Sequence, residues 1–137
     1  MEQGLLTDLY YDEILKIINE IRATERENIL KAARMIADQV KQDKLVYVFG
    51  PGGHSNLAAM EVFFRAGGLC NINPCMETGL SVFNQAQKYL ALERCVNYGR
   101  AIMEYYNLQK DDVLIVYHNI GTNAATIDAV MQAKERG

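Results

Sequence analysis

The segment of residues 44–66, KLVYVFGPGGHSNLAAMEVFFRA, constrains the fold of this chain more than any other. Its apolar run at residues 45–49 predicts a short buried strand, and a glycine-rich turn follows at residues 50–54. Ser55 is expected to cap the helix that comes next. The apolar positions of that helix are Leu57, Met60, Phe63 and Phe64. Because a helix begins with unpaired N–H groups and the positive end of its dipole, this order of elements predicts an anion-binding turn.

Segments typical of strands and helices alternate along the rest of the chain. Residues 5–42 are predicted to be helical, either as two helices that meet near Ala23 or as one long helix. Two further strands and two further helices are predicted, at residues 69–72, 89–106, 113–117 and 124–136 in chain order. Residues 73–88 are irregular, with turn signals at Asn73-Pro74 and Thr78-Gly79. The last helix is expected to turn three side chains inward, Ile127, Val130 and Met131.

This order, a helical segment and then three strand–helix pairs, predicts an α/β fold. Strands that are apolar throughout and alternate with helices are typical of a parallel sheet covered on both faces. We therefore expect a three-layer α/β/α arrangement around a flavodoxin-like parallel sheet, with only three strands in this chain. Residues 1–43 form the predicted N-terminal helical segment, and residues 44–137 form the predicted α/β domain, which is expected to be incomplete at its C-terminal end.

Composition excludes several classes of protein. The net charge of −3 over 137 residues provides no basic surface, so we expect no nucleic-acid partner. No apolar run approaches the roughly 20 residues that cross a bilayer, so we expect no membrane partner. The cysteines are odd in number and lack C-x-x-C spacing, which argues against a disulfide framework or a zinc site and favours a reducing cytoplasm. No metal site and no cofactor are predicted.

Three kinds of phosphate-binding loop, which differ in the residues that they require, are compared with the first turn. A Walker loop is excluded because no lysine follows the glycines. A dinucleotide fingerprint is disfavoured because the predicted second strand ends without the carboxylate that would bind a ribose. The third alternative is a mononucleotide or sugar-phosphate site. It would be made jointly by the turns after the first and third strands, which lie at adjacent strand ends.

The sequence resembles the sugar isomerase (SIS) domain family of phosphosugar-binding proteins, and within it a group of poorly characterised bacterial members. Residues 46–69 and 92–137 carry the resemblance in order and spacing, and residues 27–40 carry it loosely. The resemblance implies a flavodoxin-like fold, of which this chain holds the first three strands, and a protein that commonly dimerises. It also implies a sugar phosphate as the ligand, with no cofactor.

The resemblance transfers ligand-binding roles to two turns. The first family loop, rich in glycine and ending in serine, matches residues Gly52, Gly53, His54 and Ser55, and is one residue longer here. The second family loop, S-x-S-G-x-[TN], matches His118, Asn119, Ile120, Gly121, Thr122 and Asn123. Both serines are replaced, which removes hydroxyl donors to a phosphate. Hydrogen bonds to charged groups are worth roughly 1.5–3 kcal/mol each, so phosphate affinity is expected to fall.

Two classes of function remain open, a phosphosugar-binding or regulatory module and an aldose–ketose phosphosugar isomerase or lyase. An isomerase needs a base that moves a proton between adjacent carbons. The candidates are His54 in the first turn, Glu77 in the irregular segment, and Glu61 on the helix after the first turn. The i, i+4 spacing of Glu61 and Arg65 equally predicts a surface ion pair. The altered second loop and the absence of an obvious acid–base pair favour the binding module.

Overall fold

The computed structural model describes the backbone of residues 3–137 and the side chains of residues 4–83 and 85–137. The helices within this range are α1 (Gln3–Thr24), α2 (Arg26–Lys41), α3 (Gly53–Val62), α4 (Ala86–Leu92), α5 (Tyr98–Tyr106) and α6 (Ala124–Arg136). The strands are β1 (Val46–Phe49), β2 (Ile72–Cys75) and β3 (Val113–Val116). Two short 3₁₀ turns, Thr78–Leu80 and Val82–Asn84, follow β2.

The chain divides into two compact units, one ending at Ala37 and the other comprising Asp38–Gly137. The first unit contains α1 and most of α2, so the two-helix alternative describes this segment. A single residue, Glu25, separates the helices, and its N–H donates to Ile21 O at 2.8 Å. The Thr24 hydroxyl donates back to Glu20 O at 3.0 Å, inside α1. Large apolar side chains along α1 are solvent-exposed.

The second unit is built on a parallel sheet with the strand order β2-β1-β3. The central strand β1 pairs with both neighbours in register, Val46 opposite Ile72 and Val113. Val46, Val48 and Phe49 are fully buried, which explains why β1 is apolar along its whole length. The predicted α/β class and parallel sheet are confirmed.

The connections place helices on both faces of this sheet. The crossover from β1 to β2 runs one way across the sheet, and the crossover from β2 to β3 runs the other way. Because both crossovers are expected to be right-handed, α3 covers one face and α5 covers the opposite face. Helix α6 packs against α5. The result is the three-layer, flavodoxin-like arrangement that the sequence predicts.

Close packing of α5 on α6 depends on a glycine. A Cβ added at Gly99 would overlap the backbone of Ala125. At the outer end of the same contact, the Arg100 guanidinium donates to both carboxylate oxygens of Glu135, at 2.7 and 2.9 Å. The core under these helices contains Phe49, Cys75, Leu80, Ile102, Met103 and Ala129.

The structure corrects the predicted second strand. The sequence predicts it at residues 69–72 and a turn at Asn73-Pro74, whereas β2 is Ile72–Cys75 and contains both residues. Pro74 pairs opposite Val48 in the register. Proline is tolerated because β2 lies at the edge of the described sheet, where a missing N–H can face away from the neighbouring strand.

The predicted helices are also corrected. The continuous helix predicted at residues 89–106 is two helices: α4 ends at Leu92, and Asn97, the N-cap of α5, adopts a left-handed conformation (φ 69°). Helix α3 ends at Val62 and does not include the two phenylalanines that follow. The bounds of α6 match the prediction, but its inward face does not. The buried residues of α6 are Ala125, Thr126, Ala129 and Gln132, whereas Ile127, Val130 and Met131 are exposed.

Candidate functional site

The two turns expected to bind the ligand meet at the carboxyl edge of the sheet. Strands β1 and β3 are parallel neighbours that end opposite each other, at Phe49 and Val116. The pairing continues into the second turn, where Tyr117 N–H donates to Phe49 O at 2.9 Å. The first turn folds closely onto α3, since a Cβ at Gly50 would overlap the Ser55 backbone. Glycine at position 50 therefore fixes the shape of the turn.

At this edge, the start of α3 presents N–H groups that have no partner within the helix. Gly52 is the N-cap, and the first intrahelical hydrogen bond runs from Asn56 N–H to Gly52 O at 2.8 Å. The N–H groups of Gly53, His54 and Ser55 precede that bond. Ser55, predicted to be the cap, lies within the first turn instead, and its hydroxyl donates to Gly52 O at 3.2 Å. The donors that this turn offers to an anion are therefore backbone N–H groups.

His118 organises the second turn. Its Nδ1 accepts hydrogen bonds from Ile120 N–H at 3.0 Å and from Gly121 N–H at 2.6 Å. Since Nδ1 accepts, the ring proton belongs on Nε2. The Asn123 carboxamide lies 3.2 Å from Nε2 and completes the contact when its oxygen faces that proton. The imidazole therefore occupies two N–H groups that would otherwise be available to an anion.

One cavity of about 160 Å³ joins the two turns. From the first turn it is lined by Gly52, Gly53, His54 and Ser55, and from the second by His118, Asn119, Ile120 and Asn123. Gly121 and Thr122 do not line it. The structure thus brings together seven of the nine residues to which the sequence assigns ligand contacts, which are Gly52, Gly53, His54, Ser55, His118, Asn119, Gly121, Thr122 and Asn123.

Glu93, which sequence analysis did not single out, also lines this cavity. Three side-chain atoms surround the Cα of Gly52. A Cβ there would lie 3.0 Å from Glu93 Oε2, 3.2 Å from Ser55 Oγ and 3.8 Å from His118 Nε2. Gly52 leaves the centre of the cavity open between them. Its φ of −151° is extended backbone that any residue adopts, so the glycine is needed for space and not for conformation.

The break between α4 and α5 positions Glu93. Its N–H donates to Tyr89 O at 2.8 Å and closes α4, while its carbonyl accepts from Ala125 N–H at 3.0 Å. The side chain of Glu93 is buried, with 6% of its surface exposed. The asparagine at position 97 was the available signal for a break, since Asn tolerates the left-handed conformation that it adopts immediately before α5.

The other two carboxylate candidates lie elsewhere. Glu77 Oε1 accepts hydrogen bonds from Gly79 N–H at 2.8 Å and from Tyr98 OH at 2.9 Å. It lines a separate pocket of about 260 Å³. Burial, and then the hydrogen bond to Glu77, raises the pKa of Tyr98 to about 12. Glu61 forms the predicted exposed ion pair with Arg65 at 3.1 Å, which confirms that interpretation of its spacing.

The cavity therefore has hydrogen-bond donors at the start of α3 and an acceptor at Glu93. The N–H groups at the start of α3 and the helix dipole favour an anion. Glu93 can only accept hydrogen bonds when ionised.

Within the described residues, no three His, Cys, Asp or Glu side chains come together in a group that could hold a metal ion. None of the helices in that part of the chain has the length and apolar content needed to cross a bilayer.

Comparison with known proteins identifies the family. The family model described as SIS domain matches residues 9–137. A protein named UPF0309 protein from Thermoanaerobacter pseudethanolicus is 38% identical over 130 residues, covering 93% of this chain and 52% of the relative. The corresponding protein of Caldanaerobacter subterraneus is 37% identical over 133 residues, covering 96% of this chain and 54% of the relative. That of Brucella anthropi is 36% identical over 132 residues, with the same coverage.

The chain spans about half the length of these curated relatives. The family match begins at residue 9, within α1, and extends through α2 and all three strands. The chain belongs to the SIS domain family.

Proposed function

We propose that this protein binds a sugar phosphate in the cavity between the turns after β1 and β3. The observation that carries the proposal is that a single cavity joins the unpaired N–H groups at the start of α3 to polar side chains of the second turn. Membership of the SIS domain family implies phosphosugar binding as the general class of function. The particular sugar and the residues that contact it belong to the proposal.

The phosphate is proposed to bind at the first turn. Both family serines are replaced in the second turn, and His118 already holds the N–H groups of Ile120 and Gly121. The start of α3 is the part of the cavity with N–H groups left for phosphate oxygens. The sugar then extends toward Tyr89 and Glu93, which line the cavity from α4 and its end.

A thermal-shift panel of hexose phosphates, with unphosphorylated sugars as controls, tests this proposal. A ligand at about 100 times its Kd should raise the free energy of unfolding by about 2.7 kcal/mol. Gly52→Ala should weaken binding at least tenfold, because the added methyl group would enter the cavity between Glu93, Ser55 and His118. Its effect on stability should be small, since the three atoms it meets belong to side chains.

Gly4→Ala is the matched control. Position 4 lies in α1 with no atom within 4 Å of an added Cβ, so ligand shifts should equal those of the wild type. Equal shifts for Gly52→Ala and the wild type would place the ligand elsewhere. No shift with any sugar phosphate would reject the proposal for this chain.

Catalysis of aldose–ketose isomerisation is a second candidate, and one observation favours it. Glu93 Oε2 and His118 Nε2 both lie within 4 Å of the position that a Cβ of Gly52 would take, and these are residue types that move protons between adjacent carbons. Glu93 is also the one carboxylate among the described residues lining this cavity. Exchange of a sugar C2 proton with deuterated solvent, followed by NMR, would detect the reaction. Tight binding without exchange would favour the binding module.

We also propose that the protein forms a homo-oligomer in the cytoplasm. The exposed apolar residues of α1 support self-association, because soluble monomers rarely expose large contiguous apolar surfaces. The three free cysteines, Cys70, Cys75 and Cys95, support a reducing compartment.

A further inference from the structure

We infer that Glu93 is the specificity-determining residue of the cavity between the two turns. Its carboxylate accepts hydrogen bonds from hydroxyl or ammonium groups of the sugar, and it repels an anion that brings no such donor. The inference rests on the proposed function for the kind of ligand, and it adds the chemical feature that the ligand must carry.

The carboxylate of Glu93 faces the cavity with acceptor capacity that the described residues leave unused. The residue is more than nine-tenths buried, yet no described backbone or side-chain group donates a hydrogen bond to its oxygens. Glu77, by contrast, receives two hydrogen bonds in its own pocket. The carboxylate lines the cavity, so its acceptor capacity is free for a donor on the molecule that fills the cavity.

The direction of the side chain supports this role. Glu93 Oε2 lies 3.0 Å from the position that a Cβ of Gly52 would take, in the open space beside Ser55 Oγ and His118 Nε2. Gly52 is the N-cap of α3, so this space adjoins the first-turn N–H groups. A ligand bound there would touch the α3 amides with one part and the Glu93 carboxylate with another.

The α3 amides and the Glu93 carboxylate favour different groups on the ligand. The α3 amides favour a phosphate, whereas a carboxylate a few ångströms away raises the free energy of any anion in the cavity. Inorganic phosphate can bind the α3 amides, but it carries no hydroxyl or ammonium group on a sugar that could donate to Glu93. A sugar phosphate contacts both when its phosphate binds at α3 and a hydroxyl or ammonium group binds at Glu93. The cavity should therefore discriminate between ligands by the donor that the sugar carries.

Glu93→Gln tests the inference, because the amide keeps the shape of the side chain and removes its charge. We would measure affinities for inorganic phosphate, a hexose 6-phosphate and the corresponding 2-amino sugar 6-phosphate by calorimetry. Glu93→Gln should bind inorganic phosphate at least tenfold more tightly than the wild type. It should bind the sugar phosphates less tightly. A larger loss for the amino sugar would identify an ammonium group as the donor, and equal losses would identify a hydroxyl group.

Two further variants separate charge from packing. Glu93→Asp keeps the charge but shortens the side chain, so it should weaken sugar phosphate binding and still repel inorganic phosphate. Glu104→Gln removes the same charge from an exposed position on α5 and should leave all three affinities unchanged.

The outcomes distinguish this inference from the proposed function. Equal affinity of the wild type and Glu93→Gln for inorganic phosphate would overturn the inference, whatever the sugar phosphates do. If no sugar phosphate binds the wild type while Glu93→Gln gains affinity for inorganic phosphate, the proposed function fails and the repulsive role of Glu93 is supported.

Discussion

At the scale of single residues, two buried or half-buried carboxylates differ in what satisfies them. Glu77 is held by Gly79 N–H and Tyr98 OH, so its hydrogen-bonding capacity is used within the fold. Glu93 is more deeply buried and lines the cavity, and none of the described residues donates a hydrogen bond to its carboxylate. The same residue type therefore serves structure in one place and is available to a ligand in the other. The hydrogen bonds decide this difference, and the sequence does not reveal them.

Tyr98→Phe should destabilise the protein by about 1.5 kcal/mol near pH 8, because it removes a hydrogen bond to a charged group. The pKa of Tyr98 is raised from 10.0 to about 12 in the folded state, first by burial and then by Glu77. A raised pKa means that this stabilisation is fully present below pH 10 and is lost as the pH rises toward 12. Urea unfolding of wild type and variant across this range measures the difference.

Tyr105→Phe is the control for that experiment. Tyr105 is 83% exposed, so its hydroxyl should contribute little to stability. A difference between the wild type and Tyr98→Phe that stayed constant up to pH 12 would contradict a role for the Tyr98 hydroxyl proton.

At the scale of elements, the contact between α5 and α6 depends on small residues. Gly99→Ala should destabilise the protein by about 1–3 kcal/mol, because the new Cβ would overlap the backbone of Ala125 and the two helices would have to move apart. Denaturant unfolding measures this loss. Gly4→Ala should be slightly stabilising, since it replaces glycine inside α1 without a new contact. A Gly99→Ala protein as stable as the wild type would mean that the helices are farther apart.

The same contact explains why the inward face of α6 was predicted wrongly. Large apolar residues usually mark the buried face of a helix, and Ile127, Val130 and Met131 suggested such a face. A glycine on α5 lets the helices approach so closely that Ala125 and Ala129 fit between them. The larger residues are therefore displaced to the surface. The bounds of α6 were predictable from local sequence, but its orientation depends on the neighbouring helix.

Other elements also differ in how well they could be predicted from local sequence. Strands β1 and β3 were predictable because continuous apolar runs in short segments indicate buried parallel strands. Strand β2 was not, because its sequence INPC has the composition of a turn and is extended only through pairing with β1. In the candidate site, the two turns were found from glycine spacing and family resemblance. Glu93 was missed because its position depends on the break between α4 and α5, where it is the C-cap of α4.

At the scale of the whole molecule, the sheet-containing unit holds the candidate site and the N-terminal unit presents apolar surface. Helix α1 exposes large apolar side chains over most of its length, including Leu9, Ile14, Ile17, Ile18 and Ile21. An exposed surface of this kind is typical of a protein–protein contact. This chain covers about half of the length of each curated relative. Self-association should therefore be measured on this chain itself.

The double variant Ile17→Glu/Ile18→Glu should shift the protein toward monomer in sedimentation velocity measurements. Both side chains are about half exposed on α1, and two carboxylates in an apolar interface would be desolvated without partners. Lys16→Glu is the matched control, because it changes the net charge by the same amount. It removes only an exposed ion pair to Glu13 at 3.6 Å, which contributes little to stability. If the double variant and the wild type sediment alike as oligomers, α1 does not form the interface. If the wild type is itself monomeric at concentrations of tens of micromolar, the proposed homo-oligomer is wrong for this chain.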